Sequence, residues 1–292
     1  MQIVQYGEKY SVPCVLLLGY FDGMHVGHRA LVAKAKQVAQ KLGCSVGIMT
    51  FTQSKKGGQI YLFEERLRIF SALGIDFVLA AQFDEKFKST SPQEFLQTLC
   101  SCLCVRAFVC GEDFTFGKDA QGDVSLLQEF SKANNISVFV EKLVGFGGEK
   151  AAATLAKKYL DEGDVRLLSK LLAGKYFVFG TVSTEGRHIG RQMGFPTANI
   201  HLSAEKYPLK RAVYAVSAEL DKKMYRGIAN YGARPTFGDG RVVLEAYFDG
   251  YKGDLYGREI TVYFDDFLRE IKKFDSAEAL SAQLTKDLEK IR

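Results

Sequence analysis

No apolar run in this 292-residue sequence approaches the roughly 20 residues that a bilayer-spanning helix needs, so a membrane-embedded class is not expected. The opening "MQIVQYGEKYSVP" lacks a basic n-region followed by an apolar h-region, which removes the signal-peptide pattern. The expectation is a soluble, cytoplasmic protein without a membrane partner. No block of five or six basic residues accompanies the formal charge of +5, so nucleic acid is not an expected partner, and the mild positive balance suits anionic small molecules at most. Cysteine occurs six times, always within the first 110 residues, in a usage that fits buried free thiols better than a disulfide framework. The C-x-C-x-C of Cys100, Cys102 and Cys104 lacks zinc-knuckle spacing and falls at the end of a predicted helix. Internal repeats and low-complexity segments are missing too. Oligomeric state stays open, a homo-oligomer included. What is there is 47% apolar, enough for sizeable cores, on a length that fits two ordinary domains.

The stretch Gly19 to His28, "GYFDGMHVGH", spaces three glycines by four and holds two of the four histidines. Before it, Val12 to Leu18 reads as a buried strand. After it, Leu31, Val32, Ala35, Val38, Ala39 and Leu42 recur at helical spacing up to Gly43, a natural C-cap, and "CSVGIMTF" reads as the next strand. The stretch is therefore the first turn of a strand-helix-strand unit, where backbone N–H groups and a helix N-terminus suit a phosphate. Two other readings compete. His25 and His28 at i and i+3 could share a metal, although no further Cys or His stands at ligand spacing, and the glycines could simply make a tight turn.

The alternation continues. "FEERLRIFSALG" predicts a helix and "IDFVLAAQF" a strand. Ser91, Pro92 and Glu94 open a helix with a complete capping signature, followed by the strand "RAFVCG", the helix "DVSLLQEFSKANN" and the strand "ISVFVEKL". Five strands separated by helices predict an α/β doubly wound parallel sheet, with ligands at the carboxyl ends of the strands. Two more helices, "TLAKKYLDEG" and "DVRLLSKLLAG", end near Gly174. From Tyr176 to Phe264 short runs such as "YFVFGTV", "AVYAVSAEL" and "VVLEAYF" predict a small antiparallel β-barrel, and a C-terminal helix starts near Asp275 with the capping pattern Asp-Ser-Ala-Glu278. The domain boundaries are 1–174 and 175–292.

In the second half Thr197 and Asn199 of "GFPTAN" are oxygen-bearing side chains two apart on an extended chain, a donor set that Mg2+ accepts. Glu245 is a carboxylate in the otherwise apolar "VVLEAYF", a setting that suits a general base.

These motifs resemble a known family. Gly19, Phe21, Asp22, Gly23, His25, Gly27 and His28 match the signature G-x-F-D-G-x-H-x-G-H of a Rossmann-like nucleotidyltransferase module. "GRQMGFPTAN", "ANYGARPTFG", "LEAYF", "DLYG" and "LREIKKF" resemble riboflavin kinase. In that order the halves are similar to the bacterial bifunctional riboflavin kinase/FMN adenylyltransferase family, the FAD synthetases. The resemblance implies ATP and Mg2+ as cofactors, with riboflavin, FMN or FAD as substrate or product. It implies that His25 and His28 line the ATP phosphates and stabilise charge as FMN attacks, with Gly19, Phe21, Asp22, Gly23, Gly27, Thr154 and Lys157 also binding nucleotide. Asp113, Phe114 and Phe116 of "GEDFTFG" would face the flavin. Gly190, Arg191, Gly194, Pro196 and Thr197 would bind nucleotide in the second half, Thr197 and Asn199 would hold the metal, Glu245 would be the base, and Arg269 would lie near flavin and phosphate.

Two segments depart from the pattern. The family's I-S-S-T-x-I-R falls on "AAATLAK", so that Ala152 and Ala153 replace serines, Thr154 remains, and Lys157 replaces the arginine with its bidentate fork. The family's T-F-E-P-H-P is here "TFTQSKK". A smaller departure puts Ala212 where the family has glycine, at a cost of about 1 kcal/mol if the position needs positive φ. Each lost phosphate hydrogen bond costs on the order of 1.5–3 kcal/mol. The expectation is a riboflavin kinase with an impaired or vestigial adenylyltransferase module. The alternatives are a fully bifunctional enzyme and a first module that only binds nucleotide or flavin or mediates self-association.

Overall fold

Alternate residues of one central strand sort the first core into two layers. In the computed structural model, which describes residues 1–54, 57–184, 197–233 and 242–291, strand β2 (Tyr10–Leu17) follows an edge strand β1 (Gln2–Gln5). Val15 and Leu17 pack with Leu31, Val32 and Ala35 of α1 (Val26–Leu42) on one face, while Leu16 and Leu18 pack with Phe95, Leu96 and Leu99 of α4 (Pro92–Cys102) on the other. Period-two burial on both faces is what a doubly wound sheet requires. Between α1 and α4 run β3 (Ser45–Phe51), α2 (Phe63–Ala72), β4 (Phe77–Ala81) and the short α3 (Glu85–Ser89). After α4 come β5 (Leu103–Gly111), α5 (Val124–Ala133) and β6 (Ser137–Glu141).

The sheet order is β1-β4-β3-β2-β5-β6, and every pairing is parallel. Strand order reverses between β2 and β5, so the loops after these two strands open on the same crevice. The five predicted strands are present, and β1 makes a sixth. Its "QIVQ" buries only Val4, which leaves too little periodicity to read. The predicted capping of α4 is realised: Ser91 Oγ accepts from Glu94 N at 3.2 Å and Ser91 N donates to Glu94 Oε2 at 2.9 Å. The cysteines correct one expectation in part. All six are free, but only Cys14 and Cys110 are fully buried.

A small hairpin, β7 (Gly145–Phe146) and β8 (Glu149–Lys150), leads into α6 (Ala153–Glu162) and α7 (Val165–Leu171). The two compact units of the chain are Met1–Leu155 and Ala156–Arg292, so they part ahead of the expected boundary at Gly174. The reason is that α6 and α7 bond to the second unit: Lys210 N donates to Leu160 O at 2.9 Å, Tyr207 to Asp161 at 3.0 Å, and Arg166 pairs with Asp266 at 2.6 Å.

The second unit holds β9 (Phe177–Thr181), β10 (Ala198–His201), β11 (Ala212–Leu220), β12 (Lys223–Ala233), β13 (Val242–Phe248) and β14 (Glu259–Arg269). These strands pair antiparallel in the order β10-β13-β12-β11-β14-β9. A bridge between Val182 and Ile200 joins the two ends of the sheet and closes the predicted barrel. Ala212 opens β11 without a left-handed φ, so the alanine there costs no backbone strain. Helix α8 (Ala277–Glu289) is capped by Ser276, which accepts from Ala279 N at 3.2 Å, one residue beyond the predicted Asp275.

Candidate active sites

The loop after β2 is held in a tight, strained path. Phe21 and Met24 adopt φ of 53° and 45°, in the left-handed region, and both side chains are fully buried. Such residues cost on the order of 1–3 kcal/mol each, so the surrounding structure must hold them. Phe21 folds back over Gly19, where a Cβ would meet its ring at 2.9 Å. Gly23 is buried beside it. His25 is the N-cap of α1: its Nδ1 accepts from His28 N at 3.4 Å, which puts its proton on Nε2. Its ring leans over Gly27, where a Cβ would lie 3.2 Å away. The two imidazoles stack with centroids 3.7 Å apart.

Burial, together with the nearby Lys150 ammonium and against the pull of Asp113, lowers His25 to about 4. Burial and then His25 push His28 well below the usual imidazole value. Both rings are therefore neutral at pH 7, and the buried Nδ1 of His28 has no partner among the described residues. A pair of neutral rings at a helix N-terminus can present N–H donors to an anion.

Asp22 and Arg66 do the mechanical work. The Asp22 carboxylate, 2% exposed, accepts from Ile60 N at 3.1 Å and Tyr61 N at 3.2 Å. Asp22 was expected to touch nucleotide, and although it lines the cleft its carboxylate is committed to the backbone after β3. Arg66 on α2, fully buried, donates to Tyr20 O, Thr50 Oγ1, Phe51 O at 2.7 Å, Gln59 Oε1 at 2.6 Å and Tyr61 O at 3.2 Å. One guanidinium thus ties the loop, the end of β3 and the following segment together. Arg66 was not singled out in the sequence. Its signal was a charge four residues before Phe70, on the buried face of a predicted helix.

A cleft of about 640 Å³ opens beside the histidines. Phe114 and Phe116, after β5, stack at 5.5 Å and line it. Asp113 pairs with Lys150 at 2.6 Å, and both also line it. Ala151, Ala152 and Ala153 form the wall at the start of α6. Thr154 and Lys157 are not part of this lining: it ends at Ala153, Thr154 is exposed, and the Lys157 ammonium lies 4.7 Å from the Tyr207 ring.

In the second unit the strand register assembles a polar row. Asn199 faces Glu245, Glu245 faces Asn230, Asn230 faces Val213, and Val213 faces Arg269 across β10, β13, β12, β11 and β14. Directly opposed residues share one sheet face, and alternation sends Leu244 and Ala246 to the other face, where they are fully buried. Thr197 Oγ1 donates to Glu245 Oε1 at 3.0 Å. The Oδ1 atoms of Asn199 and Asn230 are buried and have no partner among the described residues. Asn230 was not singled out in the sequence, because "ANYG" alone carries no chemistry.

Arg269 shares the row but is committed elsewhere. Its Nε and Nη2 both donate to Asp287 Oδ2 at 2.8 Å, and Asp287, on α8, is fully buried. Arg269, expected near flavin and phosphate, thus also anchors the C-terminal helix. Gly190, Arg191, Gly194 and Pro196 lie outside the described residues.

Fold and sites define a class: an α/β nucleotidyltransferase-type module followed by a β-barrel module with an oxygen-rich row on its face. The family model described as FAD synthetase matches residues 8–155, and that described as riboflavin kinase matches residues 172–292. The bifunctional riboflavin kinase/FMN adenylyltransferase of Pseudomonas fluorescens is 33% identical over 285 residues, covering 94% of this chain and 91% of that protein. The protein of the same description from Bacillus subtilis (strain 168) is 31% identical over 292 residues, covering 96% and 92%. A crystal structure described as a macrolide-efflux protein from Streptococcus pneumoniae matches with a TM-score of 0.87 at 29% identity, covering 99% of this chain and 98% of that one. The chain belongs to the bifunctional riboflavin kinase/FMN adenylyltransferase family, whose two activities use ATP, Mg2+ and flavins. Among the described residues no helix is long and apolar enough to cross a membrane.

Proposed function

We propose that this chain makes FMN from riboflavin and ATP in its second unit, and that adenylyl transfer in the first unit is impaired. The observation that carries the kinase reading is the 3.0 Å bond from Thr197 to Glu245, which fixes a carboxylate between two buried amide oxygens on one row. Glu245 takes the proton of the riboflavin 5′-hydroxyl as its oxygen attacks the γ-phosphorus, the bond from that phosphorus to the bridging oxygen breaks, and ADP leaves. The Thr197 hydroxyl and the orphaned Asn199 Oδ1 are hard oxygen donors that would hold Mg2+, which when bound with the phosphates neutralises their charge.

In the first unit, the alanine wall supports impairment. Ala151 to Ala153 line the cleft and offer a phosphate no hydroxyl. A second reading, full bifunctionality, is favoured by the stacked histidines and by Lys150, which brings an ammonium to the same lining. Chromatography of products separates the two. Protein with ATP and Mg2+ receives riboflavin in one tube and FMN in another. FMN from the first and no FAD from either is the expected result. FAD from the FMN tube, at a rate comparable to FMN formation, overturns the impairment. A Glu245→Gln variant with near-normal FMN output removes the base role.

A further inference from the structure

Asn230 stands on the opposite side of Glu245 from Asn199, directly paired to it in the strand register. Opposed side chains in such a pair have Cβ atoms about 5 Å apart, so Asn230 reaches whatever Glu245 reaches. Its Oδ1 is buried and without a partner among the described residues. A buried acceptor left unmade costs on the order of 1–3 kcal/mol, so an orphan beside a catalytic carboxylate marks a place for a ligand's donor.

The two flanks of Glu245 are not equivalent. Thr197 and Asn199 both belong to the β10 side, and Thr197 already occupies Oε1 of the carboxylate. Phosphoryl transfer runs in line, with the attacking and leaving oxygens on opposite sides of phosphorus. With the phosphates and cation on the β10 side, the acceptor alcohol approaches from the β12 side, where Asn230 lies. The acceptor carries a polyol chain, whose hydroxyls are donors and whose last hydroxyl is the one that reacts.

We infer that Asn230 is a substrate-binding and specificity residue of the kinase, accepting through Oδ1 a hydrogen bond from a non-reacting hydroxyl of the ribityl chain and thereby aligning the terminal hydroxyl with Glu245. The inference rests on the reading of Glu245 as base and of Thr197 and Asn199 as the phosphate side. It assigns to this barrel face the discrimination between a full polyol and a deoxygenated one. A site whose buried acceptor loses its donor rejects the analogue, whereas an apolar wall would not.

The test uses the full-length enzyme at saturating Mg-ATP with riboflavin and its 2′-, 3′- and 4′-deoxy analogues, in wild type, Asn230→Ala and Asn230→Ser. In wild type, one deoxy analogue loses about tenfold in kcat/KM, the equivalent of one hydrogen bond in a desolvated site. Asn230→Ala loses about tenfold on riboflavin but stays within twofold of wild type on that same analogue, and its KM for Mg-ATP is unchanged. The serine variant, which keeps an oxygen, recovers part of the loss and serves if alanine prevents folding. An equal penalty on every analogue makes Asn230 a packing residue and overturns the inference. A raised KM for Mg-ATP moves Asn230 to the phosphate side and also overturns it. Wild type that treats all four acceptors alike overturns it without any variant. Glu245→Gln run in parallel isolates the base reading, because near-normal activity there fails that role whatever pattern the Asn230 variants show.

Discussion

Returning two hydroxyls to the wall of the first cleft should raise FAD formation. Ala152 and Ala153 line the cleft and are only half-buried, so Ala152→Ser and Ala153→Ser add an oxygen each without filling a packed core. A hydrogen bond to a charged phosphate oxygen contributes roughly 1.5–3 kcal/mol, so each serine that reaches a phosphate increases kcat/KM for adenylyl transfer on the order of ten- to a hundredfold. The two sites differ in a second respect. Ala152 immediately precedes α6, in the N-cap position, so its serine also stabilises the helix by about 1 kcal/mol, while Ala153 lies inside the first turn. Thermal melts therefore report the cap and product chromatography reports the phosphate contact. The assay follows FAD from FMN and Mg-ATP in the parent, both single variants and the double variant. If the double variant stays within twofold of the parent, or the parent already makes FAD as fast as FMN, the alanine wall is not what limits this cleft.

Two further outcomes follow from buried charge. Asp287 is fully buried and holds an Arg269 that is 12% exposed, so Asp287→Asn leaves a guanidinium without its counter-charge and should cost about 3–5 kcal/mol, seen as a large drop in the melting temperature of the second unit. An unchanged melt would show that α8 is held by apolar contacts alone. Burial pushes His25 down to about 4 in the folded chain from the ordinary imidazole value of 6.5, so the unfolded chain takes the proton first and stability falls as pH drops from 6.5 towards 4. Urea titrations at pH 7 and 4.5 should show the wild type losing on the order of 2 kcal/mol more than His25→Asn, a variant that keeps a side-chain cap. Equal losses would mean that the ring is solvated in solution.

The layers and the barrel were legible because burial repeats along the chain, and Leu16 against Leu17 or Leu244 against Glu245 needs only alternation. The glutamate was legible for the same reason, as a carboxylate breaking an apolar strand. Asn230 was not, since its meaning comes from the register that sets it beside Glu245, and no local pattern encodes which residue of another strand lies opposite. The ion pair of Arg269 was hidden for a related reason. Its partner Asp287 sits on a helix that folds back onto the barrel, a contact invisible in "LREIKKF".

The loop from Gly19 to His28 bears on how much a preserved motif says about activity. Asp22 braces Ile60 and Tyr61, Phe21 fills the core beneath a strained backbone, Gly19 makes room for that ring, and Arg66 bonds to the carbonyl of Tyr20. Each of these contacts supports the first unit, with or without adenylyl transfer. His25 caps α1, so even one of the two histidines has a structural duty. Ala151 to Ala153 are different: Ala152 and Ala153 are half-buried at the mouth of the cleft, and a serine in their place would disturb nothing the core requires. An intact loop is therefore accounted for by its packing and bracing contacts, and on the proposed reading adenylyl transfer is limited at Ala152 and Ala153, the two side chains that the serine variants change.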